Sequence, residues 1–185
     1  MQVGLKPLAL STGLQHMSQT ELEMGANQLI VSKSDSAGKI TYCNQCFIEL
    51  TGYTENELIK QPHNIIRHPD MPGGIFYLMW QTLKQKHEFN GFIKNKTKDG
   101  NCYWAFTNIT PVLNPNGQIT GYTSASRAPN IAATSLFEMF YEQMLESENG
   151  NTSESACKQS LQQLNELLNA MGDNYEASVF KLQFS

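Results

Sequence analysis

Long apolar runs are missing from this 185-residue chain. No stretch approaches the roughly 18 apolar residues that a membrane span requires. Charge is sparse as well: 16% of residues are charged and the net charge is −4, which excludes a nucleic-acid binder built on a broad basic face. Four cysteines are too few for a dense disulfide framework, so reduced thiols are expected. The start, MQVGLKPLALSTGLQ, has one lysine and a weak apolar patch but no cleavage site, so it does not read as a secretory signal. A cytoplasmic location is the expectation. No phosphate loop, Gly-x-Ser-x-Gly or HExxH motif is present, and an enzymatic reading has no support.

What is present suffices for a core. Apolar residues make up 40% of the chain, which argues against wholesale disorder. Residues 1–131 carry 11 Lys/Arg and 9 Asp/Glu, net +2, whereas residues 132–185 carry 2 and 8, net −6. That asymmetry predicts a near-neutral globular part followed by an acidic helical tail.

Residues 1–27 read as a mixed leader in which Ser18 to Gly25 could make a short helix. From Gln28 the pattern is strand, turn, strand: Leu29 to Val31, Asp35 to Gly38, Ile40 to Cys43. QCFIELTGYTENEL follows, with a short helix broken at Gly52 and a capping box from Thr54 to Glu57 that opens another. Pro69 and Pro72 prevent a helix before Gly73. Beyond it, Phe76, Met79, Trp80 and Leu83 form an amphipathic stripe. Gly91–Lys96, Cys102–Val112 and Ile119–Arg127 read as strands, joined by turns at Lys98-Asp99-Gly100 and Asn114 to Gly117, which makes antiparallel neighbours.

Ser135 with Glu138 reads as a capping box opening a helix striped by Phe137, Phe140, Tyr141 and Met144. Asn151 and Glu154 are expected to cap the next. There Cys157, Leu161, Leu164, Leu168, Met171 and Tyr175 recur at heptad-like spacing. Such a seam either packs on its own domain or forms a dimer contact, and the residues leave both open. The expected boundaries are a leader over 1–27, a domain over 28–130 and a helical extension over 131–185. The fold class is α+β, with a five-stranded antiparallel sheet, short helices and one longer helix over one face. A pocket between sheet and helices is a common place for a small ligand.

The segments ITYCNQCFIELTGYTENEL, QPHNIIRHPDMP, MWQTLK, IKNKTKDGNCYW and GYTSASR, in this order, resemble a PAS sensor domain, and most of all the flavin-binding PAS domain of bacterial aerotaxis receptors. The stretch His63 to Pro72 is the specific part. The resemblance implies a PAS fold that binds FAD non-covalently and reports redox or oxygen state. It implies a signalling role rather than an enzymatic one, a homodimer formed through helices flanking the core, and a chemotaxis or other signalling output protein as partner. By the same resemblance Arg67, His68 and Asp70 lie in the FAD-binding motif, Asn44 and His63 line the pocket, and Asn95 faces the flavin. Where the family has a tryptophan near the start of the third strand, this chain has Phe89.

The residue types suit that chemistry. Asn95 both donates and accepts, which fits the uracil-like edge of a flavin. Arg67 can grip a phosphate by its fork. His68 could add a hydrogen bond or stack, and Asp70 would orient Arg67 or His68. Trp80 belongs to the stripe that supplies a slot for the ring. If Asn95 points inward, Ala105 and Thr107 do too, while Trp104 and Phe106 point outward. Ala105, Thr107, Ser124 and Ser126 would then leave a void.

Two rival readings come from other classes: a ligand-free or small-molecule-binding dimerisation module, and a heme sensor using His16, His63, His68 or His87 as axial ligand. Cys43-x-x-Cys46 has no second pair to complete a metal site and reads as ordinary packing.

Overall fold

The computed structural model describes residues 20–185. Strand β1 (Leu29–Asp35) turns into β2 (Ile40–Cys43) through a loop whose Asp35 carboxylate accepts from the Ala37 and Lys39 amides, both at 2.9 Å, while Gly38 takes φ +78°. Two short helices follow, α1 (Gln45–Thr51) and α2 (Glu55–Leu58). The Thr54–Glu57 capping box that opens α2 is formed. A single 3-10 turn (His63–Ile66) leads to α3 (Gly73–Lys84). Strands β3 (Phe89–Lys96), β4 (Cys102–Leu113) and β5 (Ile119–Arg127) precede helices α4 (Ile131–Glu148), α5 (Glu154–Ala170) and α6 (Tyr175–Gln183).

The strands form an antiparallel sheet in the order β2-β1-β5-β4-β3, so the expected α+β architecture is present. Register decides its two faces. Asn95 pairs with Tyr103, Ile93 with Ala105, and Thr107 with Ser126, which sets these side chains on the face covered by α1, the 3-10 turn and α3. Phe92, Trp104 and Phe106 alternate to the opposite face. There they meet Phe137 and Tyr141 of α4, together with Phe180 of α6 and Phe184 just beyond it. Phe92 and Phe137 are fully buried, and each such ring contributes about 1.5–3 kcal/mol relative to exposure.

β3 is an edge strand, and its outer side is covered. Tyr141 Oη donates to the Phe92 carbonyl at 2.9 Å, the Lys94 amide donates to Met71 Sδ at 3.2 Å, and Arg67 pairs by backbone with Asn95. This blocks pairing with a foreign strand.

The ends of several helices differ from the sequence reading. Ser135 does not open α4: it lies inside the helix, its hydroxyl bonded back to the Ile131 carbonyl, and Asn130 caps the N-terminus through the Ala133 amide. Ser153, not Asn151, caps α5. Residues 20–25 are not helical. Glu21 pairs in parallel with Cys102, and Leu22 N donates to Cys102 O at 2.7 Å. Residues 18 and 19 of that expected helix lie outside the described residues.

The heptad-like seam is divided. Leu164 and Leu168 of α5 are fully buried within the chain, Met171 is exposed at the end of the helix, and Tyr175 starts α6. The seam therefore packs on its own domain.

One contact joins the tail to the rest. Helix α3 begins after Pro72 with no local side-chain cap. Its first amides, Gly73 N and Gly74 N, each donate at 2.8 Å to the carboxylate of Glu148, the last residue of α4. Ser160 Oγ of α5 donates to the same carboxylate at 2.6 Å. A buried carboxylate at a helix N-terminus satisfies orphan amides and meets the positive end of the helix dipole. Approach this close requires glycine. A Cβ at residue 73 would lie 2.6 Å from Cys157 Sγ, and one at 74 would lie 2.8 Å from Met144 Cε and 2.9 Å from the Cys157 carbonyl.

Gly74→Ala and Glu148→Gln should each lower stability by about 1–3 kcal/mol, the first by overpacking and the second by setting an amide N–H against backbone donors. Thermal melts should fall by roughly 2–4 °C per kcal/mol. The double variant should lose less than the sum, because both changes open one contact. Additive losses would show that the two sites are independent.

Candidate functional site

A cavity of about 290 Å³ lies between the sheet and the layer formed by α1, the 3-10 turn and α3. Its size follows from the register: β4 and β5 present Thr107, Ser124 and Ser126 on this face, and β1 adds Ser32 and Ser34. Small side chains on three adjacent strands cannot reach α3, so the space stays open. Ala105 is inward-facing as expected, but it is fully buried against the α1 side and does not line the cavity.

The walls differ in chemistry. Phe76, Met79 and Leu83 of α3 and Ile93 of β3 make an apolar slot. Asn95 lines the same cavity, largely buried and paired across the sheet with Tyr103. Hydroxyls form the opposite wall. Thr107 Oγ1 and Ser126 Oγ are 2.9 Å apart, and Ser32 Oγ is 2.8 Å from His63 Nε2. Trp80 and Tyr122 meet edge to face at 5.4 Å, with Trp80 partly exposed.

Arg67 borders the cavity, half-buried. Its guanidinium lies 4.2 Å over the Phe76 ring, and Nη2 donates to the Met71 carbonyl at 2.8 Å. Burial draws its pKa down, and the Glu148 and Cys157 groups oppose the change.

Of the sequence-derived site residues, the structure brings His63, Arg67, Trp80 and Asn95 together around the cavity. Asn44, His68, Asp70 and Phe89 do not line it. Asn44 caps α1 and ties it to β1: Oδ1 accepts from Phe47 N and Val31 N at 3.1 Å, and Nδ2 donates to Leu29 O at 2.8 Å. His68 is buried, and its Nδ1 accepts from the Asp70 amide at 3.1 Å. The Asp70 carboxylate lies 3.4 Å from that nitrogen and 3.5 Å from Lys94 Nζ, so it faces His68 and Lys94 rather than Arg67. Burial opposes the Lys94 charge, but Glu138 and Asp70 outweigh it and raise its pKa. Phe89 is buried and stacks on Tyr175 at 6.1 Å. His16 lies outside the described residues.

Residues 40–125 match the family described as PAS fold. Over this segment the chain has a PAS fold. It is similar to the Aerotaxis receptor of Escherichia coli (strain K12), 38% identical over 109 residues, covering 59% of this chain and 21% of that protein. It is also similar to the Nitrogen fixation regulatory protein of Klebsiella pneumoniae, 35% identical over 104 residues, covering 56% and 21%. The chain thus spans about a fifth of the length of these relatives. Among solved structures, a light-oxygen-voltage domain from work on a flavin analogue superposes with TM-score 0.55 at 20% identity, covering 63% of this chain and 88% of that one. The dark structure of the blue-light photoreceptor Aureochrome1 LOV gives TM-score 0.55 at 17% identity, covering 63% and 86%. These two likenesses concern the fold.

Sequence reasoning missed the β1 side of this PAS cavity, namely Ser32, Ser34 and Ile30, and the contributions of Phe47 and Tyr103. The alternation of β1 was visible in LIVSKSD. Its place beside β5 was not, because β1 and β5 are the first and last strands of the sheet in sequence.

Burial lowers the His63 pKa below its usual 6.5, and it also lowers that of His68, where Asp70 opposes. Both rings are therefore held neutral in the fold. As pH falls below about 6.5 the unfolded chain takes up these protons first, so stability is full above that pH and is lost below it. Urea midpoints should fall from pH 7.5 to pH 5, with a slope of up to about 1.4 kcal/mol per pH unit for each histidine. His63→Gln should flatten the profile. An unchanged profile in that variant would remove His63 as the cause.

Proposed function

We propose that this PAS domain is a cytoplasmic sensory module that holds FAD non-covalently and reports redox or oxygen state, in the manner of an aerotaxis receptor. One observation carries the reading: a cavity of about 290 Å³ whose lining combines an apolar slot with the Asn95 amide and the Arg67 guanidinium, the latter stacked over Phe76. The donor set fits a flavin. Ligand pockets begin at about 300 Å³, so a cavity of this volume would suit a flavin ring system. The resemblance to aerotaxis receptors and the similarity to the Escherichia coli Aerotaxis receptor support the same assignment.

Bound flavin supplies reversible electron transfer coupled to proton uptake. The protein's own residues do the rest. Phe76, Met79, Leu83 and Ile93 exclude water from the ring, and Asn95 pairs with its polar edge. The free part of the Arg67 fork holds phosphate. Thr107 and Ser126 share protons and can reverse their bond when the demand at the ring edge changes. Ser126 lies on β5, directly before α4, and α4 ends in the Glu148 contact with α3. A shift at either wall therefore reaches the C-terminal helices and biases a two-state output.

The domain core spans 28–130 and the helices from 131 transmit. The module works as a homodimer through the outer sides of its flanking helices, since the buried part of the α5 seam is covered within the chain. It acts on a chemotaxis or other signalling protein and performs no catalysis. Among the described residues no helix is long and apolar enough to cross a membrane. No described residue lining the cavity is a cysteine, so a light-driven thiol adduct is not part of the reading.

The visible spectrum of freshly purified protein tests this. The paired near-ultraviolet and blue bands of oxidised flavin are expected, and boiling should release FAD. Arg67→Ala should weaken FAD binding by roughly 10–100-fold, the effect of losing a charge-assisted hydrogen bond to phosphate. A colourless protein that takes up no added FAD would overturn the proposal, and an intense heme band would replace it with the gas-sensor reading.

A further inference from the structure

The Ser32–His63 pair is not explained by packing alone. Ser32 is almost fully buried, yet it lines the cavity together with the imidazole that its hydroxyl meets at 2.8 Å. His63 lies edge-on to Phe47, with ring centroids 5.9 Å apart, and Arg67 is the charged group lining the same cavity. A neutral imidazole has one N–H and one lone pair. The Ser32 contact by itself allows that proton on either nitrogen, and the pull of the residue 63 backbone on the ring favours Nδ1, since Nε2 is at Ser32. Nε2 must then accept, and the single Ser32 proton is committed to it. Toward the cavity Ser32 Oγ offers lone pairs only. The Thr107–Ser126 pair differs: one of its two protons lies in the mutual bond and the other remains free to donate. The two hydroxyl sites on the sheet wall therefore have opposite capacities.

We infer that Ser32, polarised by His63, is an acceptor-only site that favours the reduced, N–H-bearing form of a flavin ring and so sets the redox potential at which the domain switches. This deepens the function proposed above and rests on it. An oxidised isoalloxazine carries one ring N–H, and its other edge atoms accept. A chemical reductant that delivers two electrons, with two protons from water, converts two accepting ring nitrogens into N–H donors. An oxygen that can only accept repels the first pattern and pairs with the second. The geometry assigns the polarising role to His63, because without it the Ser32 proton would rotate into the cavity and reward the oxidised ring.

Potentiometric titration with dithionite and mediator dyes at pH 7.5 tests this on the full chain loaded with FAD. Wild type should have the most positive midpoint. Ser32→Ala, which removes the acceptor, should lower it by about 30 mV, the two-electron equivalent of a tenfold loss of preference for the reduced ring. His63→Leu, which frees the hydroxyl to donate, should lower it further. Equal midpoints, or the reverse order, would overturn the inference. Ser32→Ala leaves the test intact if His63→Leu does not fold. A second measurement needs no flavin: long-range nitrogen–proton NMR should show the His63 ring protonated at Nδ1, and a proton on Nε2 would overturn the inference. Failure of wild type to bind flavin would count against the proposed function and leave the Ser32–His63 polarity to be judged by the NMR result.

Discussion

The Glu148 carboxylate, buried at the start of α3, is the contact on which the arrangement turns. It supplies from the far end of α4 the cap that the helix lacks locally, and it receives a third hydrogen bond from Ser160 of α5. Three charge-assisted bonds to a buried anion are strong only while all donors stay in place. The contact therefore couples the position of α3, which forms one wall of the cavity, to the docking of the C-terminal helices. Arg67 feels the same carboxylate electrostatically while lining the cavity. A module that must convert a change inside a pocket into a change at its tail needs such a contact, because packed elements shift as units rather than deform.

The sheet serves two purposes through one alternation. Outward residues of β3 and β4 are aromatic and fill the space under α4 and α6. Inward residues of β1, β4 and β5 are serines and a threonine, which leave space. The stability provided by the first face offsets the hollow on the second. Four polar groups in that hollow satisfy one another in pairs, Thr107 with Ser126 and Ser32 with His63.

Much of the fold was legible. β2 and β5, the Thr54–Glu57 box and the start of α3 at Gly73 coincide with the structure, because turn glycines, prolines and capping residues act over a few positions. The Ser135 and Asn151 caps were misread for the same local reason: several polar residues near a helix start compete, and which of them lies at the end depends on the packing of the helix's own buried face, Phe137, Phe140 and Tyr141 in α4 and Cys157, Leu164 and Leu168 in α5. The site was half legible. His63, Arg67, Trp80 and Asn95 surround one cavity. Asn44, His68 and Phe89 have the right types in the right segment, yet their side chains are committed to a cap, a turn and a ring stack.

By itself the sequence determined which segments are strands and helices and which side chains alternate together, since these depend on neighbours one to four residues apart. Only the tertiary structure decided that β1 lies beside β5, that Ser32 meets His63, and that Glu148 caps a helix begun 75 residues earlier. Those pairings depend on distant segments arriving at one place, and no local preference encodes which distant partner a buried donor will find.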